Sequence, residues 1–300
     1  MLRKILVTVD GSELAERVLP AAMSLAAHAS AELVLLHVLE RSAPQQVHSQ
    51  KHLTDVAEAE AYLKGLAGNA RAGVRVSWHV HTDRVGDVAR SIVDHANEIG
   101  VDLIAMSTHG SGGLARLLYG SIAQQTLSHS RQPVLLCPVQ HCPPVRAVFE
   151  CRGMLIPVDI AAGHSIGTEL GLELARLWDS AVTLVAVAPT PGSLDGRRDS
   201  CSHLQPATTA VMLDLEEQQL RDALGKYLKQ AMDMGLEATG ELLRGNAAAG
   251  LLEMIARDRP DVVVFATHRR KGLDAVFYKS VGHQLCSKAR AYLVVAPIEG

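Results

Sequence analysis

Aromatic side chains are scarce, at 3% of 300 residues, which leaves few platforms on which a single nucleic-acid strand stacks its bases. Neither sign of charge dominates. Lys+Arg number 29 against Asp+Glu 32, a net charge of -3, so no positive field draws nucleic acid or an anionic membrane. No apolar run reaches the roughly 18–20 residues that cross a bilayer. The opening Met1–Val9 lacks a secretory core and cleavage site, and reads as the first strand of a cytoplasmic protein. Five cysteines are an odd number in a chain long enough to bury a core, so reduced thiols are expected rather than a disulfide framework. Also missing is the Walker A sequence, and with it the central motif of P-loop NTPases.

What is present is an apolar content of 48%, drawn mainly from Ala, Val, Leu and Ile, the mix of helices packed on buried strands. The length suggests about two domains. Ile5–Val9 is apolar without alternation and ends in Asp10-Gly11-Ser12, a buried strand, a turn and a helix cap. Helical spacing predicts a helix from Ser12 to about His28, and Leu33–Val38 is a second buried strand. Helices follow through Leu53–Leu66, Asp87–Ile99 and about Gly120–His129, with strands at Val74–Val80, Asp102–Met106 and Pro133–Cys137. Alternating strands and helices imply right-handed crossovers and a parallel, doubly wound sheet.

The pattern then repeats. Asp159 lies 149 positions after Asp10, while Gly245, Thr267-His268, Ser280 and Pro297 lie 159 after Gly86, Thr108-His109, Ser121 and Pro138. One insertion near Pro189–Ala207 accounts for the change of shift. Two homologous domains are expected, at 1–140 and 153–300, joined by a linker over 141–152 whose Cys142-Pro143-Pro144 cannot continue a helix or strand.

Chemistry concentrates where the fourth strand ends, in Met106-Ser107-Thr108-His109-Gly110, followed by a loop to Gly120-Ser121. Glycines that admit close backbone approach, and a hydroxyl at a helix start, form a cradle for phosphates. These residues, with Asp10-Gly11-Ser12, resemble the universal stress protein family, and the resemblance covers both halves. It implies an α/β fold of two flavodoxin-like, adenine nucleotide alpha hydrolase-like domains. Each would be a five-stranded parallel sheet with helices on both faces, and the two would form an intramolecular pseudo-dimer.

The ATP-binding branch of that family carries Gly-x-x-Gly, nine residues, then Gly and Ser or Thr. Gly110, Gly120 and Ser121 match, and Ser107 replaces the first glycine. The resemblance places Asp10 at the ribose, Val38 at the adenine edge, and Ser107, Gly110, Gly120 and Ser121 at the phosphates, with His109 beside them. It implies ATP or ADP in the first domain, with a metal ion accompanying the nucleotide.

The second half departs from the motif at each glycine, with Ala266, Arg269 and Lys279 in those places and only Ser280 kept; no ATP is expected there. Two other readings use the same residues. One is a slow ATPase; the other is an interaction protein without nucleotide, in which Ser107 marks lost binding. A stress-response or regulatory protein that binds nucleotide, without a dedicated catalytic residue, is the leading expectation.

No metal centre is expected from the protein's own ligands. Cys137, His141, Cys142 and Cys151 have zinc-type donors, but Cys137 falls in a buried strand and no Cys-x-x-Cys pair is present; His48 and His52 lie in a polar stretch. The last strands, Val134–Leu136 and Tyr292–Val295, are apolar edges that invite pairing, within one chain or in a homodimer.

Overall fold

The computed structural model describes residues 2–41, 46–47, 50–51, 53–108, 121–138, 148–161, 164–194, 200, 204–268 and 280–298. Two compact units emerge. One comprises Met1–Glu150 with His268–Lys271 and Ala291–Gly300, the other Cys151–Thr267 with Gly272–Arg290.

The first unit runs β1 (Lys4–Thr8), α1 (Glu13–Glu16), α2 (Leu19–Ala29), β2 (Glu32–Glu40), a short hairpin of β3 (Gln46–Val47) and β4 (Gln50–Lys51), α3 (Val56–Gly68), β5 (Arg75–Val85), α4 (Val88–Glu98), β6 (Leu103–Thr108), α5 (Ser121–His129) and β7 (Val134–Pro138). Its strands lie in the order β5-β2-β1-β6-β7, all parallel. Ile5, Leu6 and Val7 are wholly buried, and every residue of β6 is buried, as expected for strands covered on both faces. This is the doubly wound, flavodoxin-like architecture, and its order reverses between β1 and β6.

The single helix predicted over Ser12–His28 is instead two. Pro20 has no N–H to donate to the carbonyl of Glu16, and its ring crowds that turn, so α1 stops and α2 begins with proline in its first turn.

The second unit runs β8 (Gly153–Val158), α6 (Ser165–Trp178), β9 (Ala181–Ala188), α7 (Pro206–Asp233), β10 (Ala238–Arg244), α8 (Ala247–Asp258), β11 (Val262–His268) and α9 (Val281–Lys288). Its strands order as β10-β9-β8-β11, again parallel. The last strand of the chain, β12 (Tyr292–Ile298), belongs with the first unit. It runs antiparallel to β7, with Leu293 opposite Leu136 and Val295 opposite Val134. There the Tyr292 hydroxyl donates to the Arg17 carbonyl at 3.3 Å, and its ring meets Phe149 edge-on at 4.7 Å.

Matching details of backbone chemistry recur at the sequence shifts. The Asp102 carboxylate accepts from the amides of Arg3 and Lys4 at 2.7 and 2.9 Å; Asp261 accepts from Arg152 and Gly153 at 2.8 and 3.0 Å. Ser30 and Asp179 end α2 and α6 in the same left-handed conformation. Asp87 and Asn246 cap α4 and α8 through side-chain oxygens. The inserted length is placed differently from the expectation. It lies in helix α7, with 28 residues against 13 in α3, because Pro206 opens a helix instead of closing a loop.

The expectation of reduced thiols holds for Cys151 and Cys286, which are free and buried, but not for Cys137, which is disulfide-bonded. Among the described residues, no helix is long and apolar enough to cross a membrane.

Candidate functional site

In a doubly wound sheet, the chains leaving the strands on either side of the order reversal go to opposite faces, which opens a crevice beyond the strand ends. Here that crevice lies beyond β1 and β6. The register of Val7 with Ala105, and of Thr8 with Leu36, brings Asp10, Val38 and Ser107 to the ends of three adjacent strands. Ser121 starts α5. His109, Gly110 and Gly120 lie outside the described residues, as does the Ser121 side chain.

Asp10-Gly11-Ser12 is a compact device. Asp10 Oδ1 accepts from the Ser12 amide at 2.9 Å and from the Ser12 hydroxyl at 2.7 Å, while Ser12 Oγ accepts from the Ala15 amide at 3.1 Å and caps α1. The turn needs glycine at position 11 for two reasons. Its φ is +92°, and an added Cβ would come within 2.8 Å of Leu53 Cγ. Beside it, Glu16 accepts a hydrogen bond from the Tyr62 hydroxyl at 2.9 Å. Burial is the main cause that pushes the Glu16 carboxyl up; the Tyr62 bond opposes it, and the charges of Glu13 and Asp10 add to it.

Ser107 stands where the motif has glycine. Its side chain is 5% exposed and turned beneath α1, where Oγ donates to the Ala15 carbonyl at 3.1 Å. The extra atoms are thus absorbed between β6 and α1. Val38 is buried in β2, paired with His81 of β5.

Two arrangements escape a reading of the sequence. His37 is buried, with Nδ1 2.9 Å from the Val9 carbonyl and Nε2 3.1 Å from the Leu53 carbonyl, so it ties the end of β1 to the segment that packs over Gly11. The signal available was a lone histidine within an apolar strand. The second is His79, His81 and His95, whose ligand atoms all lie within 4.8 Å of one another. Burial first, and then the neighbouring His79, holds the His95 imidazole below its ordinary value against the pull of Glu98. The His-x-His spacing on a strand was its visible trace.

In the second unit, Asp159 accepts from the Ala161 amide at 2.9 Å and is hydrogen-bonded to the His164 imidazole. Burial pushes its carboxyl up, but the His164 bond together with the Ala161 and Ile160 amides outweighs that and holds it below the ordinary value. Ser280, the one motif residue kept, caps α9 by accepting from the His283 amide at 3.2 Å.

Comparison with known proteins agrees with both halves of this picture. The family model for the universal stress protein family matches residues 1–138 and again 153–297. The universal stress protein YxiE of Bacillus subtilis is 32% identical over 146 residues, which is 45% of this chain and 99% of that protein. Among solved structures, a universal stress protein from Archaeoglobus fulgidus superposes with a TM-score of 0.67 at 14% identity, covering 98% of each chain. A protein of unknown function, PA1789 from Pseudomonas aeruginosa, gives 0.67 at 16% identity over 99% of this chain and 92% of that one. With the family model matched once in each half, the chain belongs to the universal stress protein family as a two-domain member.

Proposed function

We propose that the first unit binds an adenine nucleotide, ATP or ADP, in the crevice beyond β1 and β6, and that the second unit binds none. The protein then acts as a nucleotide-responsive regulatory protein of the cytoplasmic stress response. The observation that carries this reading is the placement of Asp10, Val38 and Ser107 at three adjacent strand ends where the sheet order reverses. The residues fit the group. The Ser107 side chain is stowed under α1, so its backbone presents no bulk to the loop, and the Asp10 carboxylate is fixed by Ser12 at a strand end.

In this reading Asp10 accepts from the ribose hydroxyls and Val38 offers backbone polar groups to the adenine edge. Ser107, His109, Gly110, Gly120 and Ser121 hold the phosphates, together with a divalent ion that the nucleotide brings.

Calorimetric titration of the purified chain with ATP tests it. Asp10→Asn keeps the oxygen that Ser12 uses but loses the charge, and is expected to weaken binding about 10–100-fold, the loss of one charge-assisted hydrogen bond. Gly120→Val is expected to abolish binding with an unchanged circular dichroism spectrum. Wild-type affinity in both variants would contradict the site.

A further inference from the structure

A period of two puts His79 and His81 of β5 on one face of the strand. The chain then turns through the Asp87 cap, and α4 packs back on the sheet through Ala89, Ile92, Val93 and Ala96, all buried. That packing brings His95, in the last turn of α4, over the same face. The His95 ring stacks on His79 at 4.4 Å between centroids and meets His81 edge-on at 6.0 Å. Among the described residues, the His79 and His81 side chains make no hydrogen bond, and the one carboxylate paired with His95 is Glu98, with Oε2 3.6 Å from Nδ1.

We propose that His79, His81 and His95 form a binding site for a divalent transition-metal ion of the zinc class. Imidazole nitrogen suits zinc, copper and nickel, whereas magnesium and calcium take oxygen. Two nitrogens bound to one tetrahedral zinc, each at about 2.0 Å, stand about 3.3 Å apart. The observed spread of up to 4.8 Å closes by small side-chain rotations, with no movement of β5 or α4. Three imidazoles leave a fourth position for water. Glu98 stands where a carboxylate orients a ligating histidine from behind, as such partners do at metal centres. The ion joins β5, which among the described residues pairs with β2 alone, to the helix that follows it.

The test uses the full chain, stripped of metal by a chelator and freed of nucleotide. Zinc is titrated calorimetrically and bound metal is measured by elemental analysis. The expected result is one tightly held zinc per chain that magnesium does not displace. Loss of a group that merely orients a ligand costs about 10–100-fold in affinity, so His79→Ala and His95→Ala should each cost about a hundredfold or more. The metal-free melting temperature should be unchanged, and the rise that zinc produces in the wild type should vanish. His48→Ala with His52→Ala should bind as the wild type does. Cobalt substitution adds a spectroscopic check, because an all-imidazole site shows no thiolate charge-transfer band. No zinc bound by the wild type, undiminished binding in the His79 and His95 variants, or a thiolate band would each overturn the assignment.

Discussion

The ends of β1 and β8 carry the same aspartate and use it differently. Asp10 is built into a turn that caps a short helix, and the strand next to it carries, one residue from its end, a serine tucked beneath that helix. Asp159 is instead engaged by an imidazole five residues on, and the strand next to it carries Ala266, against which α6 packs backbone to backbone. A Cβ added at Gly167 would stand 2.5 Å from the Ala266 amide nitrogen. One fold therefore tolerates two solutions at the same corner. A hydroxyl spacer with a broken helix goes with the half that retains the glycine motif, and direct helix-to-strand contact goes with the half that lost it. Beside the longer α7, the comparison places divergence between the repeats in the corner residues, while the strand-start clamps stay alike.

The most severe way to break the second solution is Gly167→Ala. The closest atom is backbone, so neighbours cannot rotate away. Overpacking of this kind costs about 1–3 kcal/mol, and the upper end is expected, read as a lowered urea midpoint. Ala266→Gly should not rescue it, because the amide nitrogen remains. In the first unit, Ala15→Gly in α1, at the residue whose carbonyl accepts the Ser107 hydroxyl, should cost only about 1 kcal/mol.

A second experiment tests what the halves share. Removing either strand-start clamp, by Asp102→Ala or Asp261→Ala, leaves two backbone amides without their carboxylate and is expected to cost about 2 kcal/mol in each case. Unequal losses would show that the repeats are not energetically equivalent where their geometry is. Smaller again is Ser107→Ala, which deletes one hydroxyl bond and should cost about 1 kcal/mol while leaving nucleotide affinity intact. A large loss of affinity would mean that the hydroxyl serves the ligand and not α1.

The smallest effect separates the corners by pH. The Asp159 carboxyl is held below its ordinary value of 3.8, so its folded form is favoured above that value and the advantage fades as pH falls through the lowered one. Asp159→Asn should therefore flatten the acid limb of the stability curve below about pH 4. Urea midpoints measured from neutral pH downward show it.

Much of this was legible in the sequence because buried parallel strands carry unbroken apolar runs. Ile5–Val9 and Leu103–Met106 could be little else, and the doubly wound order follows from alternation and handedness. The repeat shifts were equally plain. What escaped was tertiary or local in origin. The apolar spacing runs straight through Pro20, so periodicity concealed the break between α1 and α2. Prolines and glycines near position 190 drew attention to a loop, although the added length is helical. His37 binds carbonyls 28 and 16 residues away, and the histidine cluster exists only because α4 folds back on β5. At the candidate site, residue types pointed to a strand-end crevice, but only the coordinates show the Ser107 hydroxyl committed to Ala15.

The asymmetry between the two units is tested most directly by denaturing freshly purified protein, identifying released nucleotide by mass, and counting it against the chain, with added ATP to saturate any empty site. The account predicts one adenine nucleotide per chain, lost in Gly120→Val and kept in Asp159→Asn. Two per chain would contradict the closed corner at Gly167 and Ala266, and none after saturation would contradict the nucleotide site itself.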